Sequence, residues 1–239
     1  SSRVIIYGDS GTGKDLVAKE IHKNSKYSDG NFIIVNSALM EPDGIEEELF
    51  GLEENSRIIK QGFFEQANNG TLFIDEIGDM PIQTQSKILR VLTDSSFYRV
   101  GSNKPVNVNA RLLCSSTENL EKLVENGNFR MDLFHRLNVV SITLPKLSDR
   151  TQDIDELIEY FFKIYSTNAN SNTSDLCDYN KANYMNYDWA GNVRELRNIV
   201  ERYCIIGGKI TENKEQLDSG FNSKNVISMP LKNARRIFE

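Results

Sequence analysis

Short apolar runs recur at residues 4–7, 32–35, 72–74, 111–114 and 139–144, with longer, periodically patterned stretches between them. This alternation predicts an α/β fold, a mostly parallel sheet sandwiched by helices on both faces. Within residues 15–23, Val17 and Ile21 stand at i and i+4; within 83–93, Leu89 and Leu92 stand at i and i+3. Such spacing places apolar groups on one helical face, where they pack on the sheet. Residues 97–101 and 106–108 flank Ser102, Asn103, Lys104 and Pro105, a pattern that predicts a hairpin inserted before the next strand.

The pattern changes after Pro145. Ile154, Leu157, Ile158, Phe161, Phe162 and Tyr165 follow a helical period, with Asp153, Asp155 and Glu156 in the first turn, where the helix dipole favours acids. A polar stretch over 166–174 interrupts. Asn192 to Glu195 then has the spacing of a capping box opening a second helix, with Val193, Leu196, Val200 and Tyr203 as its buried stripe. These features divide the chain into a core over 1–146, a small helical domain over 147–212, and a linker over 213–229 that leads into the start of a further helix at 231–239.

Composition narrows the function. The 239 residues carry 39% hydrophobic and 26% charged residues with a net charge of −6, which suits a globular domain and argues against a duplex-DNA surface on this segment itself. Its anionic partner is then a single nucleotide rather than a polyanion. Cys114, Cys177 and Cys204 are widely spaced and accompanied by only two histidines, so neither a disulfide scaffold nor a zinc site is expected, in keeping with a reducing cytoplasm. No apolar run approaches the roughly 20 residues that span a bilayer, so no membrane association is expected. Ser1-Ser2 leads straight into a strand, and the chain reads as a segment of a longer protein.

Candidate chemistry begins at Gly8-Asp9-Ser10-Gly11-Thr12-Gly13-Lys14-Asp15, between the first apolar run and the first helical stretch. A loop of pattern G-x-x-x-x-G-K turns successive backbone N–H groups inward on phosphates, at dihedral angles that a Cβ obstructs. Lys14 then reaches the β- and γ-phosphates, helped by the following helix N-terminus. The competing reading, a Gly-rich turn with an incidental lysine, is weakened by the order strand, loop, helix. Asp15 stands where Ser or Thr commonly offers a hydroxyl to Mg2+, so that carboxylate either binds the metal through water or leaves the task elsewhere. The second half of the site is Thr71-Leu72-Phe73-Ile74-Asp75-Glu76, a buried strand that delivers two acids at its carboxyl end. Asp75 is the natural partner of Mg2+ and Glu76 the candidate base that orients the attacking water on ATP. A solvated turn is the alternative for an Asp-Glu pair taken alone.

These motifs resemble the central AAA+ ATPase domain of bacterial enhancer-binding proteins, response regulators that act with the sigma-54 form of RNA polymerase. The loop at 8–15 is similar to that family's GESGTGKE, in which an acid also replaces Ser or Thr. Phe129-Arg130-Met131-Asp132-Leu133-Phe134-His135-Arg136-Leu137-Asn138-Val139 resembles FREDLYYRLNV, and Trp189-Ala190-Gly191-Asn192-Val193-Arg194-Glu195-Leu196 resembles WPGNVREL. The resemblance implies an AAA+ P-loop NTPase core followed by an all-helical lid. It also implies an upstream receiver domain answering a sensor kinase, a DNA-binding domain beyond residue 239, and a homo-oligomer ranging from a dimer to a hexameric or heptameric ring. By the same resemblance Asn36 restrains Glu76 as a switch, the alternative being a strand-end Asn that bonds its own loop. Arg130 and Arg136 match the arginines that reach a neighbour's γ-phosphate, with surface salt bridging as the alternative. Arg194 matches the lid's sensor arginine. Thr117 stands where the family carries a sensor Asn at the end of the fourth strand.

Between Gly51 and Gly62 the family carries the loop GAFTGA, whose tip touches sigma-54; here the stretch is Leu52-Glu53-Glu54-Asn55-Ser56-Arg57-Ile58-Ile59-Lys60-Gln61. Without those glycines the same tight tip is not expected. The absence resembles the NtrX branch of the family. It implies an ATP-hydrolysing regulator domain that does not remodel sigma-54 holoenzyme. Two alternatives stay open: a nucleotide-gated oligomerisation module with negligible turnover, and an orthodox sigma-54 activator with an altered loop.

Overall fold

A computed structural model describes residues 3–41, 44–166 and 187–206 of the chain. Five strands, β1 (Val4–Tyr7), β2 (Phe32–Asn36), β5 (Thr71–Asp75), β8 (Arg111–Ser116) and β9 (Val140–Thr143), form one sheet in the order β2-β5-β8-β1-β9, and every pair is parallel. The predicted α/β sandwich is therefore present, and each apolar run falls on a strand of this sheet.

Strand periodicity sorts the side chains to two faces. Ile5, Leu72, Ile74, Leu112 and Cys114 point to one face and pack beneath α2 (Ile45–Phe50), α3 (Phe63–Gln66), α4 (Ile82–Asp94) and α6 (Met131–Leu137). Val4, Ile6, Phe73 and Leu113 point to the other and meet α1 (Lys14–Lys23) through Val17, Ala18 and Ile21. Burial on both faces explains why the inner strands β1, β5 and β8 read as continuous apolar runs rather than alternating ones. A further short helix, α5 (Leu120–Glu125), is capped by the Asn119 side chain, which accepts from the Glu121 amide.

Two hairpins stand off the sheet. β3 (Gly51–Glu54) and β4 (Arg57–Gln61) pair antiparallel across a two-residue turn, Asn55 and Ser56, both in the left-handed region at φ 50° and 63°. The stretch that stands in place of GAFTGA is thus a hairpin: Asn tolerates that conformation, and a primed turn matches the twist of the flanking strands. The second hairpin, β6 (Ser96–Tyr98) with β7 (Pro105–Asn107), was anticipated, but its strands are shorter than expected. Residues 99–101 leave it because Val100 pairs with the first hairpin instead, donating its N–H to Gly51 and accepting from the Glu53 amide. Arg99 is pulled the same way by two buried carboxylates.

Beyond the core, a 3-10 segment at Leu147–Asp153, helix α7 (Ile154–Tyr165) and helix α8 (Asn192–Ile206) build a separate apolar cluster around Trp189. Ile154, Ile158, Phe161 and Phe162 of α7 meet Leu196, Val200 and Tyr203 of α8, the faces that the helical period marked. Each such side chain contributes about 1.5–3 kcal/mol when fully buried. The capping box expected from Asn192 to Glu195 is corrected. Asn192 has φ 52° and turns its side chain away, accepting from the Leu147 amide and donating to the Ser10 carbonyl, while Glu195 accepts from the Gly191 amide. The polar stretch 167–174, the linker 213–229 and the helix start at 231–239 lie outside the described residues.

Candidate functional site

The site gathers at the carboxyl edge of the parallel sheet, where β1 runs into the glycine loop. Gly11 and Gly13 have φ of 79° and 101°, and Gly13 leads into α1 with no side-chain cap, leaving the helix's first N–H donors free to meet an anion. Lys14, only 7% exposed, donates to the Gly8 carbonyl at 2.8 Å and lies 3.0 Å from Glu76 Oε1. Asp15 is exposed in the first turn of α1. An open cleft of about 560 Å³ adjoins Gly8 and Asp9, lined also by Thr117, Asn138, Thr143 and Lys146.

The acids sit two strands over, with β8 between β5 and β1. Asp75 ends β5 with a donor on either side: Asn36 from β2 gives its amide to Oδ2 at 3.2 Å, and the Ser115 hydroxyl from β8 gives a short hydrogen bond to Oδ1. Glu76 follows in the left-handed region at φ 55°, ψ 55°. Its Oε2 accepts from both the amide and the hydroxyl of Thr117, at 2.8 and 2.9 Å. Asn36 therefore does not bond Glu76. Its amide serves Asp75, and its Oδ1 accepts from the Ala38 amide at 3.0 Å, the local-loop bond that the competing reading foresaw. The glutamate is restrained by Lys14 and Thr117 instead.

The helical unit closes over the glycine loop. Arg194 donates to Ser10 Oγ at 2.9 Å, Asn192 to the Ser10 carbonyl at 3.0 Å, and Arg150 to the Thr12 carbonyl at 3.0 Å. Lys146 forms an ion pair with Asp9 at 3.1 Å, which raises the lysine pKa. Of these four, Arg194 was named from sequence; Lys146, Arg150 and Asn192 carried no signal beyond ordinary loop and helix-start composition. A Cβ on Gly11 would stand 2.3 Å from the Gly191 carbonyl oxygen, so the loop and the start of α8 are in contact through backbone.

Arg130 and Arg136 lie apart from this cluster. Arg130 forms a two-point pair with Asp132, at 2.7 and 3.0 Å, and also donates to Ser86 Oγ; that pairing raises its own pKa and lowers that of Asp132. Arg136, on the exposed side of α6, donates to the Leu92 carbonyl at 3.4 Å, and Arg3 donates to the same carbonyl. Arg136 is exposed and Arg130 half-buried, and the two side chains bond to groups on α4 and α6.

Among the described residues no group of three or more His, Cys, Asp or Glu side chains assembles to hold a metal. The donor set fits Mg2+ nonetheless, because that ion keeps most of its waters and takes one or two carboxylates together with substrate phosphates. Asp75, with one neutral donor on each oxygen, keeps acceptor capacity for such a shell. No helix among the described residues is long and apolar enough to cross a membrane.

Comparison with known proteins agrees with this geometry. The family described as Sigma-54 interaction domain matches residues 1–143, and the AAA+ ATPase lid domain matches residues 148–230. The nitrogen assimilation regulatory protein NtrX of Azorhizobium caulinodans is 39% identical over 254 residues, covering 100% of this chain and 56% of that protein. The DNA-binding transcriptional regulator NtrC of Escherichia coli is 45% identical over 202 residues, covering 83% of this chain and 43% of that protein. The crystal structure of NtrX from Brucella abortus in complex with ADP superposes with a TM-score of 0.80 at 39% identity, over 99% of this chain and 56% of that one. A further structure of the same Brucella protein, in complex with ATP, gives a TM-score of 0.77 at 38% identity, over 98% of this chain and 55% of that one. The chain spans about half the length of these relatives. A P-loop NTPase sheet of AAA+ type, a helical lid seated on its glycine loop, and sequence identity at this level over most of the chain together mean that this chain belongs to the Sigma-54 interaction domain family.

Proposed function

We propose that this chain binds ATP and Mg2+ and hydrolyses ATP, as the AAA+ domain of an NtrX-like two-component transcription regulator. The observation that carries the reading is the convergence of Lys14, Asp75 and Glu76 at the mouth of an uncapped glycine loop. Solved complexes of the Brucella NtrX with ADP and with ATP support it. The free amides of the glycine loop cradle the phosphates, Lys14 leaves Glu76 to neutralise the terminal ones, and Asp75, with Asp15 as a second acid, would hold Mg2+. When bound, such an ion would supply positive charge against the charge that develops during phosphoryl transfer. Glu76 orients and polarises the attacking water, Thr117 sets where that carboxylate rests, and Arg194 reads the nucleotide from the lid.

Arg130 and Arg136 act on the next subunit's γ-phosphate, so turnover needs a homo-oligomer, from a dimer to a six- or seven-membered ring. A trans arginine of this kind is worth about 10³ to 10⁵ in rate. In the whole protein, the ring couples nucleotide state to DNA bound through a C-terminal domain, under an upstream receiver and its kinase. The β3–β4 hairpin offers Ile58 and Ile59 at its surface in place of the GAFTGA tip, which speaks against remodelling of sigma-54.

A second reading, a nucleotide-gated oligomerisation module with negligible turnover, draws support from Glu76 being fully engaged by Lys14 and Thr117. Steady-state phosphate release separates the two. Hydrolysis predicts a measurable rate that falls in Glu76→Gln and in Arg136→Ala; a module predicts the same negligible rate in all three. Calorimetry that detects neither ADP nor ATP binding would overturn both.

A further inference from the structure

The two acids of the site share a partner that the motifs do not mark. Ser115 lies inside β8, fully buried, one step beyond the Ile74–Cys114 pair in the β5–β8 register and therefore level with Asp75. On the opposite flank the β2–β5 register sets Asn36 level with the same Asp75. Three adjacent strands thus carry a row, Asn36, Asp75 and Ser115, across the carboxyl edge of the sheet.

Hydrogen-bond polarity in this row is fixed by chemistry. A carboxylate only accepts and an amide N–H only donates, so the Ser115 hydroxyl proton goes to Asp75 Oδ1 while its oxygen accepts the Glu76 N–H at 3.1 Å. One hydroxyl therefore serves both acids. Toward Asp75 it joins the Asn36 amide in fixing the carboxylate plane. Toward Glu76 it holds the amide of a residue in the left-handed region, where a non-glycine residue persists only when its surroundings determine it. That backbone turn aims the Glu76 side chain at Lys14 and Thr117.

We infer that Ser115 is a positioning residue that orients Asp75 toward the metal shell and Glu76 toward the water-activating position. The inference rests on the ATP and Mg2+ reading of the site. Ser115 touches neither substrate nor metal; it acts through the two acids.

The test compares the affinity of a non-hydrolysable ATP analogue in Mg2+ with its affinity in EDTA, for the parent protein, Ser115→Ala and Ser115→Thr. Removing a hydrogen bond that orients a metal-binding carboxylate lowers metal affinity by about 10- to 100-fold. In Ser115→Ala the Mg2+-dependent gain in affinity is therefore expected to shrink by at least about tenfold. Affinity in EDTA, which reads the glycine loop and Lys14, stays within a factor of two, and kcat falls far more than KM rises. Ser115→Thr keeps the hydroxyl and restores the gain. Ser115→Ala with a parental Mg2+ gain, or with equal losses in Mg2+ and EDTA, overturns the assignment while leaving the nucleotide site standing. A parent protein that binds no analogue under either condition overturns the nucleotide reading and the assignment together.

Discussion

The Lys14 ammonium lies 3.0 Å from Glu76 Oε1, with both side chains largely withdrawn from solvent. The lysine of the glycine loop and the candidate base therefore hold each other, and on the proposed reading a nucleotide must draw the lysine away. Glu76→Gln removes the competing charge without removing the amide-like shape. Its expected signature is opposite in the two assays. Affinity for ATP in a fluorescence titration rises by about two- to fivefold, a gain under 1 kcal/mol. Phosphate release falls by about 10² to 10⁴, the usual worth of a positioned base. A variant that lost binding in proportion to turnover would mean that Glu76 supports the loop rather than the reaction.

A second relationship stabilises the part of the fold that replaces the missing loop. Arg99 forms a two-point pair with Glu65 at 2.7 and 2.8 Å and reaches Glu53 at 3.0 Å, all three side chains being 12% exposed or less. The Glu65 hydrogen bond is the main cause that raises the Arg99 pKa, so the guanidinium stays charged at every working pH. Arg99→Met strands two buried carboxylates, which costs about 3–5 kcal/mol. Thermal unfolding should show Tm lower by an amount on the order of 10 °C. Adding Glu53→Gln and Glu65→Gln to Arg99→Met should return most of the loss, since the penalty comes from uncompensated charge.

Fold and site differ in how far the residues announce them. The inner strands β1, β5 and β8 are buried on both faces, so their apolar runs stand out from sequence, and the glycine loop is marked by backbone angles that few residues other than glycine adopt. The stripes of α7 and α8 follow the same logic, each packing on the other around Trp189. Long-range polar partners leave no comparable mark. Asn36 and Ser115 meet Asp75 only because the sheet register brings strand ends together, and Arg99 meets Glu53 only because one hairpin folds onto the other. Asn192 fits a helix-start pattern, yet its amide is used 182 residues away on Ser10. The sequence pattern identified it as local because a capping residue and a bridging residue have the same composition.

Acid sensitivity has an identifiable source at the back of the sheet. His22 is 7% exposed, with Nδ1 2.9 Å from Thr71 Oγ1 and its ring against Phe32. Burial, aided by the Arg111 guanidinium, holds its pKa below the ordinary 6.5. A base whose folded pKa is lowered gives full stability above the unfolded value and loses it as pH falls from 6.5 toward the folded value, because the unfolded chain takes up the proton first. Urea unfolding of His22→Gln should therefore show lower stability than the parent at pH 7.5. The gap should narrow as pH falls below 6.5. A gap that stayed constant across that window would assign His22 a purely steric role.

Asn192 bridges the lid to the phosphate loop with both ends of its amide, and the two ends are not interchangeable. Its Oδ1 accepts from the Leu147 amide, inside the lid, and its Nδ2 donates to the Ser10 carbonyl, in the core. Asn192→Asp preserves size and the first bond but sets a carboxylate against a carbonyl oxygen in a position only 1% exposed. The lid's own packing around Trp189 is untouched, so far-UV helicity should hold while the lid loosens from the loop. An unsatisfied buried group of this kind costs about 1–3 kcal/mol, more when charged. Hydrogen exchange should then quicken at the start of α8 and in the 147–153 segment, where the amide of Leu147 is buried in the parent. On the proposed reading of the site, nucleotide should bind at least about tenfold more weakly, the equivalent of 1.4 kcal/mol. Asn192→Ala removes both bonds without adding repulsion and should fall between the parent and Asn192→Asp; an alanine variant worse than the aspartate would place the whole effect on the Leu147 bond.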